Sequence, residues 1–149
     1  WIDWADRDED LLGFTRHVLR LRHDLLPFAD RWYQGVSDGE HPADLSWFQP
    51  DGREMPIERW QDAHARSLAC LISQPGRCDQ AVLLLFNASA SDLVFQVPDG
   101  PWRALLDTSS PQGNPSAQTA QTPFNNGYTV PGHSMALLVS ALDETSQTS

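Results

Sequence analysis

Ala81-Val82-Leu83-Leu84-Leu85-Phe86-Asn87 is the stretch that decides the fold. It is a short apolar run that closes on the turn-forming Asn87-Ala88-Ser89 and follows Pro75-Gly76, and such runs bounded by turn residues read as strands. Similar apolar or alternating runs lie on both sides, at 67–73, 93–97, 102–106, 128–130 and 135–139. Pro98-Asp99-Gly100, Asn125-Asn126-Gly127 and Pro131-Gly132 separate them. Short strands at this spacing predict a mainly β fold, an antiparallel β-sandwich. The Ser-, Gln-, Thr- and Pro-rich stretch 109–123 reads as a long loop, and 143–149 as a polar, disordered tail.

Upstream the period changes. Leu11, Phe14, Val18, Leu21 and Leu25 recur at spacings of three and four, with Leu12, Leu19 and Leu26 widening the stripe, which predicts one long amphipathic helix over 6–26. Asp6, Asp8, Glu9 and Asp10 stand at its start and Arg16, Arg20, Arg22 and His23 further on, the order the helix dipole favours. Pro27 stops it. Between helix and sandwich, residues 28–66 are punctuated by Gly35, Gly39, Pro42, Pro50, Gly52 and Pro56, leaving room for one short strand at 45–48 before a Pro50-Asp51-Gly52 turn. Trp32, Tyr33, Trp47, Phe48 and Trp60 concentrate here, so this connection must pack onto something. The expected organisation is thus a helical segment at 1–27, an aromatic-rich linker at 28–66, a sandwich at 67–142 and the tail at 143–149.

Composition limits the functions available. A chain of 149 residues is too short for a (β/α)₈ barrel of about 250 residues. Twenty acidic residues against ten basic ones give a net charge of −10, which argues against nucleic acid or an anionic membrane as partner. Every basic residue is Arg, so neither a Schiff-base Lys nor a P-loop is present. No apolar segment approaches the 18 or so residues of a membrane span. Cys70 and Cys78 form no CxxC pair and read as free thiols in a reducing compartment rather than as a disulfide.

Local motifs offer no catalytic apparatus. Asp6-x-Asp8-x-Asp10 begins like an EF-hand loop, but Leu11 stands where the Gly is needed and His17 where the closing Glu is needed, so the acids read as a helix start and no metal is expected. His17 and His23 point to different sides of their helix. There is no GxSxG elbow or GxGxxG loop, and His133 and Ser134, adjacent on a strand edge, would face opposite ways. Asn87-Ala88-Ser89 fits a glycosylation sequon but reads first as a strand-ending turn.

Family resemblance adds to this. Trp1-Ile2-Asp3-Trp4 with the Leu-rich helix, and above all Leu45-Ser46-Trp47-Phe48-x-Pro50-Asp51-Gly52-x-Glu54-Met55 followed by Trp60, resemble bacterial glycogen debranching enzymes of the isoamylase type in glycoside hydrolase family 13. Val130-Pro131-Gly132-His133-Ser134-Met135-Ala136-Leu137-Leu138 resembles the last strand of α-amylase-type C-terminal sandwiches. The likeness implies that residues 1–27 are the last helix of a catalytic barrel and that the parent is a cytoplasmic enzyme cleaving α-1,6-glucosidic branch linkages without an organic cofactor. It also implies that the catalytic Asp, Glu and Asp precede Trp1, leaving this chain non-catalytic. The partners it implies are the barrel of the same polypeptide and, through it, a branched α-glucan. Trp32, Trp47 and Trp60 are then expected in interdomain packing, and Trp1, Asp3 and Trp4 near the substrate face. The alternative is an independent carbohydrate-binding or interaction module.

Overall fold

A computed structural model describes residues 7–25, 33–37, 43–73 and 80–140. It contains helix α1 (Glu9–Leu25), strand β1 (Leu45–Phe48), helix α2 (Ile57–Trp60), strands β2 (Ser67–Ile72), β3 (Val82–Asn87), β4 (Leu93–Phe95) and β5 (Trp102–Asp107), helix α3 (Ala117–Gln121), and strands β6 (Tyr128–Val130) and β7 (Ser134–Ser140). The fold is mainly β. A five-stranded antiparallel sheet runs β1-β2-β3-β7-β5, and a two-stranded sheet pairs β4 with β6.

Register explains how the apolar runs are used. Residues directly opposite in an antiparallel ladder share a face, so Leu71, Leu83, Leu138 and Ala104 form one row and Phe48, Ala69, Leu85 and Ala136 another on the inner side. These rows pack against Leu93 and Phe95 of β4 and Tyr128 and Val130 of β6, closing the sandwich. The alternate positions make a second, outer row of Trp47, Cys70, Leu84, Leu137 and Leu106. That row belongs to a separate apolar cluster, covered by Phe14, Val18, Leu21 and Leu25 of α1. The continuous apolar character of β3 therefore has a physical cause: both its faces are packed.

Helix α1 starts later than the periodicity predicts, because Asp8 takes the capping place and its Oδ1 accepts the Leu11 N–H at 3.0 Å. The helix is fixed at the far edge of the sheet, where the His17 Nε2–H donates to the Leu105 carbonyl at 3.1 Å and the Gln112 amide donates to Asp10 at 3.1 Å. Gly113 permits this approach: its φ is 73°, and a Cβ there would lie 2.7 Å from Leu106 Cδ1 and 3.0 Å from the Phe14 ring.

Three local readings change. The stretch 109–123 is not wholly loop: α3 forms inside it, because Ser116 Oγ accepts the Thr119 N–H at 3.3 Å and supplies the cap. The short strand within 28–66 joins the main sheet as its edge, pairing Leu45 with Ile72 and Phe48 with Ala69. Met55 N–H donates back to the Trp47 carbonyl at 2.8 Å after the expected turn, where Gly52 has φ 81°. His133 is not a strand residue; it sits in the turn before β7 with φ 55°, and Ser134 donates from Oγ to the Pro131 carbonyl at 2.6 Å. The tail at 143–149 and the end of the predicted helix at Leu26 and Pro27 lie outside the described residues.

Candidate functional site

Two surfaces stand out, the outer sheet face and a cleft at one end of the sandwich. On α1, Phe14, Val18, Leu21 and Leu25 turn toward the sheet, whereas Leu11 and Leu19 remain 60% and 57% exposed. The stripe is wider than the sheet alone needs. At the opposite edge, Trp47 of β1 meets Trp60 of α2 edge-on, ring centroids 5.3 Å apart at 85°. Trp60 is 52% exposed and Ile57, one turn earlier, 76%. Between these edges Leu84, Phe86 and Met135 are half-buried, on the same outer cluster. Leu11 and Leu19 on α1 and Ile57 and Trp60 on α2 are thus large apolar side chains left open to solvent.

The second surface is a cleft of about 560 Å³ between α3, the end of β5 and the start of β6. Its floor holds Phe124 and Tyr128, stacked at 5.5 Å with an interplanar angle of 28°, and Asp107, whose Oδ2 accepts the Tyr128 hydroxyl at 3.4 Å. Asp107 Oδ1 meanwhile accepts from the Ser109 N–H and hydroxyl at 3.0 and 2.6 Å. Burial, followed by the neighbouring Asp107 charge, pushes the Tyr128 phenol up to about 12, so it stays a protonated donor through the neutral range. Among the described residues, no group of three His, Cys, Asp or Glu side chains is arranged to hold a metal ion, and no helix is long and apolar enough to cross a membrane.

Of the residues singled out by sequence, Trp1, Asp3, Trp4 and Trp32 lie outside the described residues, while Trp47 and Trp60 are brought together. Cys70 is buried with a free thiol, and burial raises it to about 11; Cys78 is outside the described residues. The sequon residue Asn87 is 1% exposed. Its Nδ2 faces the carbonyls of Ser91, Val130 and Pro131 at 2.9, 3.0 and 3.1 Å, and its Oδ1 accepts from the Ser89 N–H and hydroxyl at 3.0 and 2.6 Å. It is a structural tie between β3 and the β6–β7 turn. Sequence reasoning missed the cleft, whose lining comes from separated segments; the only trace was the polar richness of 109–123.

The described residues thus form an antiparallel β-sandwich with a helix laid across one sheet, and the outer face of that sheet is only partly covered. Residues 44–139 match the family described as Isoamylase, C-terminal, and the chain belongs to that family. Over 157 aligned residues it is 32% identical to the "Glycogen operon protein GlgX homolog" of Mycobacterium tuberculosis (strain ATCC 25618 / H37Rv), and equally to that of Mycobacterium bovis, with 93% of this chain covered. It is 26% identical over 106 residues to the "Glycogen debranching enzyme" of Yersinia pestis bv. Antiqua (strain Angola), with 70% of this chain covered. The chain spans only 21% of the mycobacterial relatives and 14% of the Yersinia one.

Proposed function

We propose that this chain is the non-catalytic C-terminal domain of a cytoplasmic glycogen debranching hydrolase, docked through α1 and the outer sheet face onto the catalytic region of the same polypeptide. The observation that carries the reading is the two-sided helix: α1 covers the sheet with one side and offers Leu11 and Leu19 on another. In this reading 1–27 is the last barrel helix, and Trp32, Trp47 and Trp60 extend the contact beyond it. Trp1, Asp3 and Trp4 lie near the substrate face. The parent would cleave α-1,6 branches of glycogen with carboxylates supplied by the barrel, since a retaining glycosidase needs two carboxyl groups roughly 5 Å apart. The carboxylates at the two edges of the 108–127 loop are otherwise engaged: Asp8 caps α1, Asp10 accepts from Gln112, and Asp107 holds Ser109 and Tyr128.

The test is a pair of substitutions, Leu11→Gln and Leu19→Gln, which keep helix propensity but remove apolar surface. In the 149-residue chain alone they should shift stability by no more than about 0.5 kcal/mol, as ordinary surface changes do. In a polypeptide carrying the catalytic region they should cost about 2 kcal/mol or more, from burial of most of two Leu side chains. Equal effects in both contexts would overturn the docking face. Hydrolysis of a branched dextrin by the 149-residue chain would overturn the non-catalytic role.

A further inference from the structure

We infer that the cleft between α3, β5 and β6 is a holding site for an uncharged α-glucan chain, separate from the surface that faces the catalytic region. The inference rests on the reading of the chain as a domain of a glycogen-acting enzyme for the choice of an α-linked glucose polymer. The preference for a neutral polyol rests on the cleft itself.

The chemistry of the lining restricts the ligand. Its volume of about 560 Å³ is in the range of small-molecule sites. Its polar groups are hydroxyls and amides, among them those of Ser116, Gln118, Thr119, Thr122, Asn126 and Thr129, with Asp107 as the one charged group and no cation. An anionic ligand would meet Asp107 uncompensated within a chain of net charge −10. A cationic ligand would find one carboxylate whose two oxygens already accept hydrogen bonds from Ser109 and Tyr128. An apolar ligand would strip water from five or more polar side chains with nothing to replace it. A sugar ring satisfies both components: its hydroxyls pair with the amides and hydroxyls, and its C–H face lies against the half-buried Phe124 ring, which Tyr128 backs from the core.

Placement supports a site that stays open in the whole enzyme. Tyr128 belongs to the inner core and Phe124 packs against it, on the side of the sheet opposite the cluster covered by α1. No α1 residue lines the cleft; α1 abuts the other side of the same loop, at Gln112 and Gly113. The floor is held in shape without ligand, because Asp107 N–H donates to the Gly113 carbonyl at 2.9 Å and Ser116 Oγ caps α3. A site held ready in this way loses little ordering entropy on binding. Its use would be to keep a glucan chain near the enzyme while branches are cleaved elsewhere.

The experiment titrates the 149-residue chain with maltoheptaose, followed by NMR chemical-shift changes, with cellohexaose as the β-linked control. Gln118 and Asn126 are exposed, so Gln118→Ala and Asn126→Ala should leave the fold intact, which the melting temperature checks. The expected result is a dissociation constant on the order of 1 mM for maltoheptaose, weakened about fivefold by each variant, as the loss of one hydrogen bond implies. Phe124→Leu, which keeps an apolar filler against the core, should weaken it further. Absence of shifts in the folded wild-type chain would overturn the site while leaving the docking reading intact, because that reading is tested at Leu11 and Leu19. Binding that the variants do not weaken would overturn its location, and equal binding of cellohexaose would overturn the α-glucan assignment.

Discussion

Replacing Asn87 by Ala should be among the most damaging single changes that leave every apolar side chain in place. The carboxamide is buried at the end of β3, where it joins three segments: its own turn, the Ser91 carbonyl leading to β4, and the Val130 and Pro131 carbonyls between β6 and β7. Nδ2 carries two protons, so at most two of the three carbonyls receive one at a time. Oδ1 accepts from the Ser89 N–H and hydroxyl. Four hydrogen bonds at about 1 kcal/mol each put the loss near 3–4 kcal/mol, while the Pro131 carbonyl keeps the Ser134 hydroxyl and the exposed Ser91 carbonyl keeps that of Ser89. Ser89→Ala is the graded control: one hydroxyl proton serves either Asn87 Oδ1 or Ser91 O, so about 1 kcal/mol should be lost. Equilibrium urea unfolding of the 149-residue chain measures both, with the denaturant slope unchanged if the native fold is kept. An Asn87→Ala loss below about 1 kcal/mol would refute the view that this side chain ties the two sheets together.

Other perturbations follow from the same packing. Gly113→Ala should cost roughly 1–3 kcal/mol, since the added methyl meets Leu106 and Phe14 and the backbone is in the left-handed region; thermal melting and loss of protection in α1 would report it. Leu138→Ala, at a fully buried position of β7 in the inner row, should cost about 2–5 kcal/mol in the same assay. Alkaline stability depends on Tyr128 and Cys70. Both are acids whose neutral form is favoured by folding, raised from 10.0 to about 12 and from 9.0 to about 11. The stability they contribute is therefore complete below about pH 9 and is lost as pH rises from 9 through 12. A Tyr128→Phe, Cys70→Ala double variant should show a flatter stability profile across that window, and an unchanged profile would exclude these groups as its cause.

The strands were legible because turn residues punctuate them so regularly that β2 through β7 emerge within a residue or two of their observed ends. The second apolar face was present in Val82-Leu83-Leu84-Leu85, a run without alternation, but its meaning depended on where α1 lies. Two features escaped for different reasons. Helix α3 is written in Ala, Gln and Thr, a composition that resembles loop, and its start depends on the Ser116 cap rather than on an apolar stripe. The cleft joins Asp107 to residues 116–129, and only the fold of the intervening chain brings them together. The sequon at Asn87 shows the converse: the local pattern was visible, and burial decided between its two meanings. Trp102 is similar, a large aromatic that the core consumes, with its indole N–H donating to the Pro98 carbonyl at 2.7 Å.

Docking through α1 and the outer sheet face is tested most directly by hydroxyl-radical footprinting of Leu11, Leu19, Ile57 and Trp60 in two contexts. One is the 149-residue chain alone, and the other is the same chain in a polypeptide that carries the catalytic region. The account predicts rapid labelling of all four in the isolated chain and strong protection, about tenfold, of Leu11 and Leu19 in the longer polypeptide, where most of their exposed area is covered. Labelling of those two leucines at the same rate in both contexts would contradict it.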